Sequence, residues 1–128
     1  MNITDLVTLL RNEVEKVDYK CYSPDLPQND EICSSISIGD GEIQRALTKG
    51  ILYAEIPVYF LIRGNANDKN TREVADDIFN QLDQKENISL NNTRIISIFC
   101  NTPNYAFRDE NQRIYYNINC KVKVQWKE

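Results

Sequence analysis

The sequence predicts an α+β fold: one mixed or antiparallel sheet of about four or five strands, with two amphipathic helices on one face. Two observations carry this. Two stretches repeat apolar residues at helical spacing, and several others alternate apolar and polar residues as half-buried strands do. The last of these, "RIYYNINCKVKVQW", puts Ile114, Tyr116, Ile118, Cys120, Val122, Val124 and Trp126 on one face without a break. At 128 residues, with 41% hydrophobic and 27% charged residues, the chain fits a single domain over residues 1–128.

The elements follow in order. Ile3, Leu6, Val7, Leu10, Val14 and Val17 predict a helix over 4–17, with Thr4 as its cap and Asp5 in its first turn. "DYKCYS" reads as a short strand, stopped by the two prolines of "PDLPQND". "EICSSISI" is a second short strand, with Ile32, Ile36 and Ile38 in phase. The glycine-bracketed "GDGEIQRALTKG" reads as a loop with at most one helical turn.

"ILYAEIPVYFLIR" is a long strand with Leu52, Ala54, Ile56, Val58, Phe60 and Ile62 on one face. Its other face also carries large residues, so both sides are expected to be partly covered. Pro57 lacks an N–H and points to an edge or a bulge. Asn70, with Glu73 three residues on, predicts the start of a second helix over 71–84. Its stripe is Val74, Ala75, Ile78, Phe79 and Leu82. "KENISLNNT" is a loop with a brief strand at 88–90 and a turn at Asn91 and Asn92. "RIISIFC" and the final strand then pair antiparallel across a 101–112 connection. The sheet face opposite the helices would stay partly apolar, a reason to expect an oligomer.

Composition removes several function classes. The net charge of −4 and pI near 4.9 argue against a nucleic-acid-binding surface, which needs a basic stripe. No stretch nears the roughly 18 apolar residues of a membrane span. The start has no basic segment ahead of its apolar residues, so no signal peptide is expected and synthesis is cytosolic. With no histidine, the chain lacks the commonest general base and metal ligand. Cys21, Cys33, Cys100 and Cys120 form no CxxC pair and read as reduced core thiols rather than a zinc site. The four glycines make no phosphate-binding pattern, and no calcium loop is complete. Asp76 and Asp77 are neighbours on a helix and diverge by about 100°, so they read as a solvated face. No catalytic residue, cofactor site or metal site is expected.

The aromatic residues are more telling. Tyr105 and Phe107 lie in "NTPNYAFRDENQR", a stretch otherwise mostly polar, with Arg108 beside them and Asp109 and Glu110 following. Rings on a polar connection either tuck onto their own sheet or are offered to a partner. Aromatic residues and arginine are enriched at protein interfaces.

Two segments carry a family resemblance. "IPVYFLIRGNANDKNTREVADDIFNQL" and "TRIISIFCNTPNYAFRDENQRIYYNINCKVKV" resemble the minor capsid and tail terminator family of long-tailed, siphovirus-type bacteriophages of Gram-positive hosts. The shared shape is a strand ending in a polar residue and glycine, then a helix with an A-x-x-I-x-x-L run. A second strand leads through a P-x-aromatic-x-x-acidic-acidic-N-x-R stretch into a long last strand. Ala75, Ile78 and Leu82 occupy the helix run; Pro103, Tyr105, Phe107, Asp109, Glu110, Asn111 and Arg113 occupy the second. The match spans about residues 50–125. The first helix fits by position, and residues 24–50 depart from the pattern.

The resemblance implies a non-enzymatic virion protein without a cofactor. It would form a ring, usually hexameric, that caps the tail tube at the head–tail junction. Its partners would be further copies of itself, the tail tube protein and head-completion or connector proteins, after assembly from the host cytoplasm. DNA would be met only in transit, and no membrane. Tyr105, Phe107, Arg108, Asp109 and Arg113 are the interface candidates. Alternatives are another neck, tail-completion or minor capsid protein, or a small bacterial module binding peptides by strand addition at a sheet edge. An enzyme would have to rely on carboxylates alone.

Overall fold

The computed structural model of the protein describes residues 2–45 and 50–127. The element order is α1 (Ile3–Glu15), β1 (Lys20–Tyr22), β2 (Cys33–Ile38), β3 (Glu42–Arg45), β4 (Ile51–Arg63), α2 (Asp68–Leu82), β5 (Glu86–Leu90), β6 (Thr93–Cys100), β7 (Asn104–Arg108) and β8 (Ile114–Lys127). The α+β class holds, with two helices and a mixed sheet, but the sheet has eight strands rather than four or five. The excess arises because two long strands are each flanked by a partner broken in two.

β4 and β8 form the spine, antiparallel and in register along their length, from Ile51 opposite Lys127 to Arg63 opposite Tyr115. β2 and β3 lie end to end on the free edge of β4, pairing with residues 58–63 and 52–55. β6 and β7 lie end to end on the far edge of β8. β1 extends the sheet beyond β2, the one parallel pairing among the described residues, and β5 closes the other edge beside β6.

The first break in pairing explains Pro57. In an antiparallel ladder a residue's N–H and C=O point to the same neighbour. The Pro57 carbonyl accepts from Gly39 N–H at 2.8 Å, so its missing N–H faces the gap between β2 and β3. An interior strand thus tolerates proline because it is locally an edge there. Two further expectations change. Glu42–Arg45 is strand, not loop; the rest of that segment, residues 46–49, lies outside the described residues. The 101–112 connection is not one loop, because Asn104–Arg108 pairs with β8 and only a turn at 109–113 joins them.

Both helices start earlier than expected. Asn2 caps α1 by accepting from Asp5 N–H at 3.1 Å, and Asn67 caps α2 by accepting from Asn70 N–H at 3.1 Å. Asparagine is the stronger N-cap, so Asn2 displaces Thr4. Asn67 takes the place of Asn70 because Thr71 lies inside the helix, its hydroxyl bonding back to the Asn67 carbonyl at 3.1 Å.

The core lies between the helices and one sheet face. Leu6, Leu9, Leu10 and Val14 of α1 and Val74, Ala75, Ile78 and Leu82 of α2 pack on the even-numbered residues of β4 and β8. Trp126 is 1% exposed, and its indole N–H reaches the Asn2 carbonyl at 3.4 Å. Glu13, also buried, accepts from Lys16 and from Gln81 of α2, so this buried carboxylate is paired and hydrogen-bonded. Gly64, which joins β4 to α2, passes so close to Thr71 that an added Cβ would sit 2.1 Å from its Oγ1.

Candidate interaction surface

The β7–β8 hairpin carries all five interface candidates, and the local backbone decides how each is used. The register slips between Tyr105 and Phe107, leaving Ala106 as an extra residue. Residues two apart on a regular strand share a face; the bulge separates them. Tyr105 therefore lies opposite Tyr116 on the helix side, with the rings edge to face at 6.0 Å. Phe107 lies opposite Tyr115 on the open side, with the rings stacked at 4.2 Å. Each is held by one neighbouring ring and otherwise largely open: Tyr105 is 55% exposed and Phe107 44%. Tyr116 is fixed in turn by its hydroxyl, which donates to Asp68 at the start of α2 at 2.8 Å.

Asp109 and Arg113 build the turn. Asp109 accepts from the backbone N–H of Asn111 and Arg113 at 3.0 and 2.9 Å, and from Arg113 Nε and the Tyr115 hydroxyl at 2.8 Å each. Burial alone would raise this carboxyl, but those hydrogen bonds outweigh it and hold it down at about 2. Arg113 also donates to the Asn29 carbonyl and pairs with Asp30 at 3.2 Å, tying the turn to the loop after β1. Arg108 is exposed and donates to the Gln112 carbonyl at 3.1 Å. Of the five, Tyr105 and Phe107 thus present free surface, Arg108 is partly committed, and Asp109 and Arg113 hold the hairpin tip.

Arg63 belongs to the same end of the molecule and carried no sequence signal beyond its place in a strand pattern. It is 2% exposed, and among the described residues no carboxylate lies within salt-bridge reach. Its guanidinium instead donates to the carbonyls of Glu31 and Pro27 at 3.0 and 2.7 Å, to Asn29 Oδ1 at 2.8 Å and to Cys33 Sγ at 3.5 Å. It holds the proline-rich loop against the sheet.

The open face of the sheet is a second exposed surface. Tyr53 and Tyr59 of β4 and Phe99 of β6 stand out from it, among Glu55, Lys121 and Lys123. Lys121 pairs loosely with Glu55 at 3.9 Å. A hollow of about 600 Å³, lined in part by Asp40, Glu42, Tyr53 and Pro57, lies over this face. The expectation of a partly apolar open face is met in a mixed form, with aromatic and charged residues interleaved. Among the described residues no three histidine, cysteine or carboxylate side chains gather as a metal site, and no helix is long and apolar enough to cross a membrane.

No family model matches the chain, and no curated protein sequence does. Among solved structures it is similar to a chain described as "Virion of native gene transfer agent (GTA) particle". The TM-score is 0.69 at 11% identity, over 96% of this chain and 96% of that one. At this identity the likeness is one of fold, and it runs nearly end to end: the protein has the fold of a virion chain.

Proposed function

We propose that the protein is a structural virion protein of a tailed phage or phage-derived particle, and within that class a tail terminator. The observation that carries this is the shared fold with a virion chain over almost the whole of both chains. The tail-terminator assignment rests on the resemblance of residues 50–125 to that family from Gram-positive phages. On this reading the protein catalyses nothing and works through surfaces. It forms a ring on the last ring of the tail tube, stops further polymerisation and offers a different face to the head.

A ring needs two different patches of one subunit that meet around the circle. The β7–β8 hairpin, with Tyr105 and Phe107 displayed on opposite faces, and the aromatic open face are the surfaces assigned to those contacts. Rigid rings already held on one side lose little freedom when covered on the other, which favours them as anchors.

The test is mass and shape in solution, with and without purified tail tubes. A ring in solution, or decoration of tube ends alone, supports the terminator. A monomer that ignores tubes overturns it.

A further inference from the structure

Two of the four cysteines face each other across the sheet. Cys100, the last residue of β6, is directly opposite Cys120 of β8, and their sulfurs are 2.7 Å apart. The next pair along, Asn101 and Asn119, is hydrogen-bonded, with Asn101 N–H donating to the Asn119 carbonyl at 2.8 Å. Bonded and non-bonded pairs alternate, so the cysteines occupy a non-bonded pair, where the strands come closest and Cα atoms are about 4.5 Å apart. That spacing lies within the roughly 4.4–6.8 Å range spanned by disulfides. Cys120 is buried, whereas Cys100 is half-buried and reachable from solvent. The backbone at Cys100 is also held, because its N–H donates to Asp83 at 2.9 Å.

The other thiols have no such partner. Cys21 lies opposite Ser34 in the parallel β1–β2 pair, and Cys33, one residue along, faces the other side of the sheet against Arg63.

We propose that Cys100 and Cys120 form a redox modification site, two thiols in a reducing cytosol that close a cross-strand disulfide when they meet a disulfide oxidant such as oxidised glutathione. The Cys100 thiolate attacks one glutathione sulfur, forming a mixed disulfide and releasing one glutathione thiolate. The Cys120 thiolate then attacks Cys100 Sγ and expels the second. The two protein thiols lose two protons and two electrons, and oxidised glutathione becomes two reduced glutathiones. The bond staples β6 to β8 just before the 101–103 break, at the root of the hairpin that displays Tyr105 and Phe107. A protein assembled in a reducing cytosol and later exposed outside the cell would meet both conditions. The chemistry itself needs no ring, tube or head, so its test is independent of the proposed virion role.

The experiment uses the full chain, incubated natively with excess oxidised glutathione, quenched with an alkylating agent and weighed intact. The expected product has lost two hydrogens and takes up two alkyl groups where the untreated, unfolded chain takes up four. A non-reducing digest should recover the Cys100 and Cys120 peptides linked, and the melting temperature should rise by several degrees and return with dithiothreitol. Cys21→Ser and Cys33→Ser should leave the link intact, whereas Cys100→Ser or Cys120→Ser should abolish it. Four alkylatable thiols after treatment would overturn the proposal. So would a stable glutathione adduct at Cys100, or links elsewhere or between chains.

Discussion

Replacing Gly64 by alanine tests the packing at the β4–α2 junction, where the strand hands over to the helix. An added Cβ would meet Thr71 Oγ1 at 2.1 Å, its Cγ2 at 2.6 Å and its Cβ at 2.7 Å. Thr71 cannot swing away freely. It is fully buried, and its hydroxyl serves the Asn65 N–H, the Asn65 carbonyl and the Asn67 carbonyl at 3.3, 3.3 and 3.1 Å. Overpacking of this kind costs about 1–3 kcal/mol. Displacing the hydroxyl from its partners adds about 1 kcal/mol. Taking about 3 kcal/mol as the sum, and an unfolding entropy of about 2.1 cal/mol/K per residue, the melting temperature should fall by about 11 °C. Thermal unfolding by circular dichroism measures this directly. Thr71→Ala removes Oγ1 and Cγ2, so in the Gly64→Ala background it should cost less than it does alone, with a coupling above about 1 kcal/mol. A Gly64→Ala protein that melts within 1 °C of the parent, or a strictly additive double variant, would refute the close approach.

Three further outcomes follow from the hairpin end of the molecule. Ala substitutions at Tyr105, Phe107 and Arg108 should each leave a folded protein, Phe107→Ala losing about 1 kcal/mol of ring stacking, yet impair binding to tail tubes. A chain that fails to fold in circular dichroism would instead make these residues part of the core. Arg63→Met should cost about 2–4 kcal/mol in urea unfolding, because it strands the Pro27 and Glu31 carbonyls and frees the loop between β1 and β2. Limited proteolysis should then cut within residues 23–32. The Asp109 carboxyl titrates lower in the folded chain, at about 2 against 3.8, so it binds protons less readily than in the unfolded chain. Its stabilisation is full above pH 4 and lost as pH falls through 2. The stability gap between the parent and Asp109→Asn should therefore be constant from pH 5 to 7 and shrink below pH 4; an unchanged gap at pH 2 would show the turn network to be absent.

Side-chain periodicity alone determined much of this protein. The alternation over 114–126 named the buried face of β8 residue by residue, and the helical stripes named the buried sides of α1 and α2. Apolar residues recur at the period of the element that buries them, so that information is local. The two flanking strand pieces β3 and β7 were not legible. Both are short, and the described faces of β7 are mostly exposed, so burial leaves no alternation on them. Their place in the sheet depends on backbone hydrogen bonds to β4 and β8, and backbone groups are nearly the same at every residue.

Tertiary context also decided what three of these residues do. Pro57 reads as an edge or bulge residue, yet it sits in an interior strand because its neighbour strand breaks beside it. Tyr105 and Phe107 read as rings on a polar connection, yet they lie on a strand, and the bulge at Ala106 sends them to opposite sides. That two rings stand in one otherwise polar stretch was written in its composition. Which way they face depends on how one extra residue is absorbed against a partner strand, and that is settled only when the two strands meet.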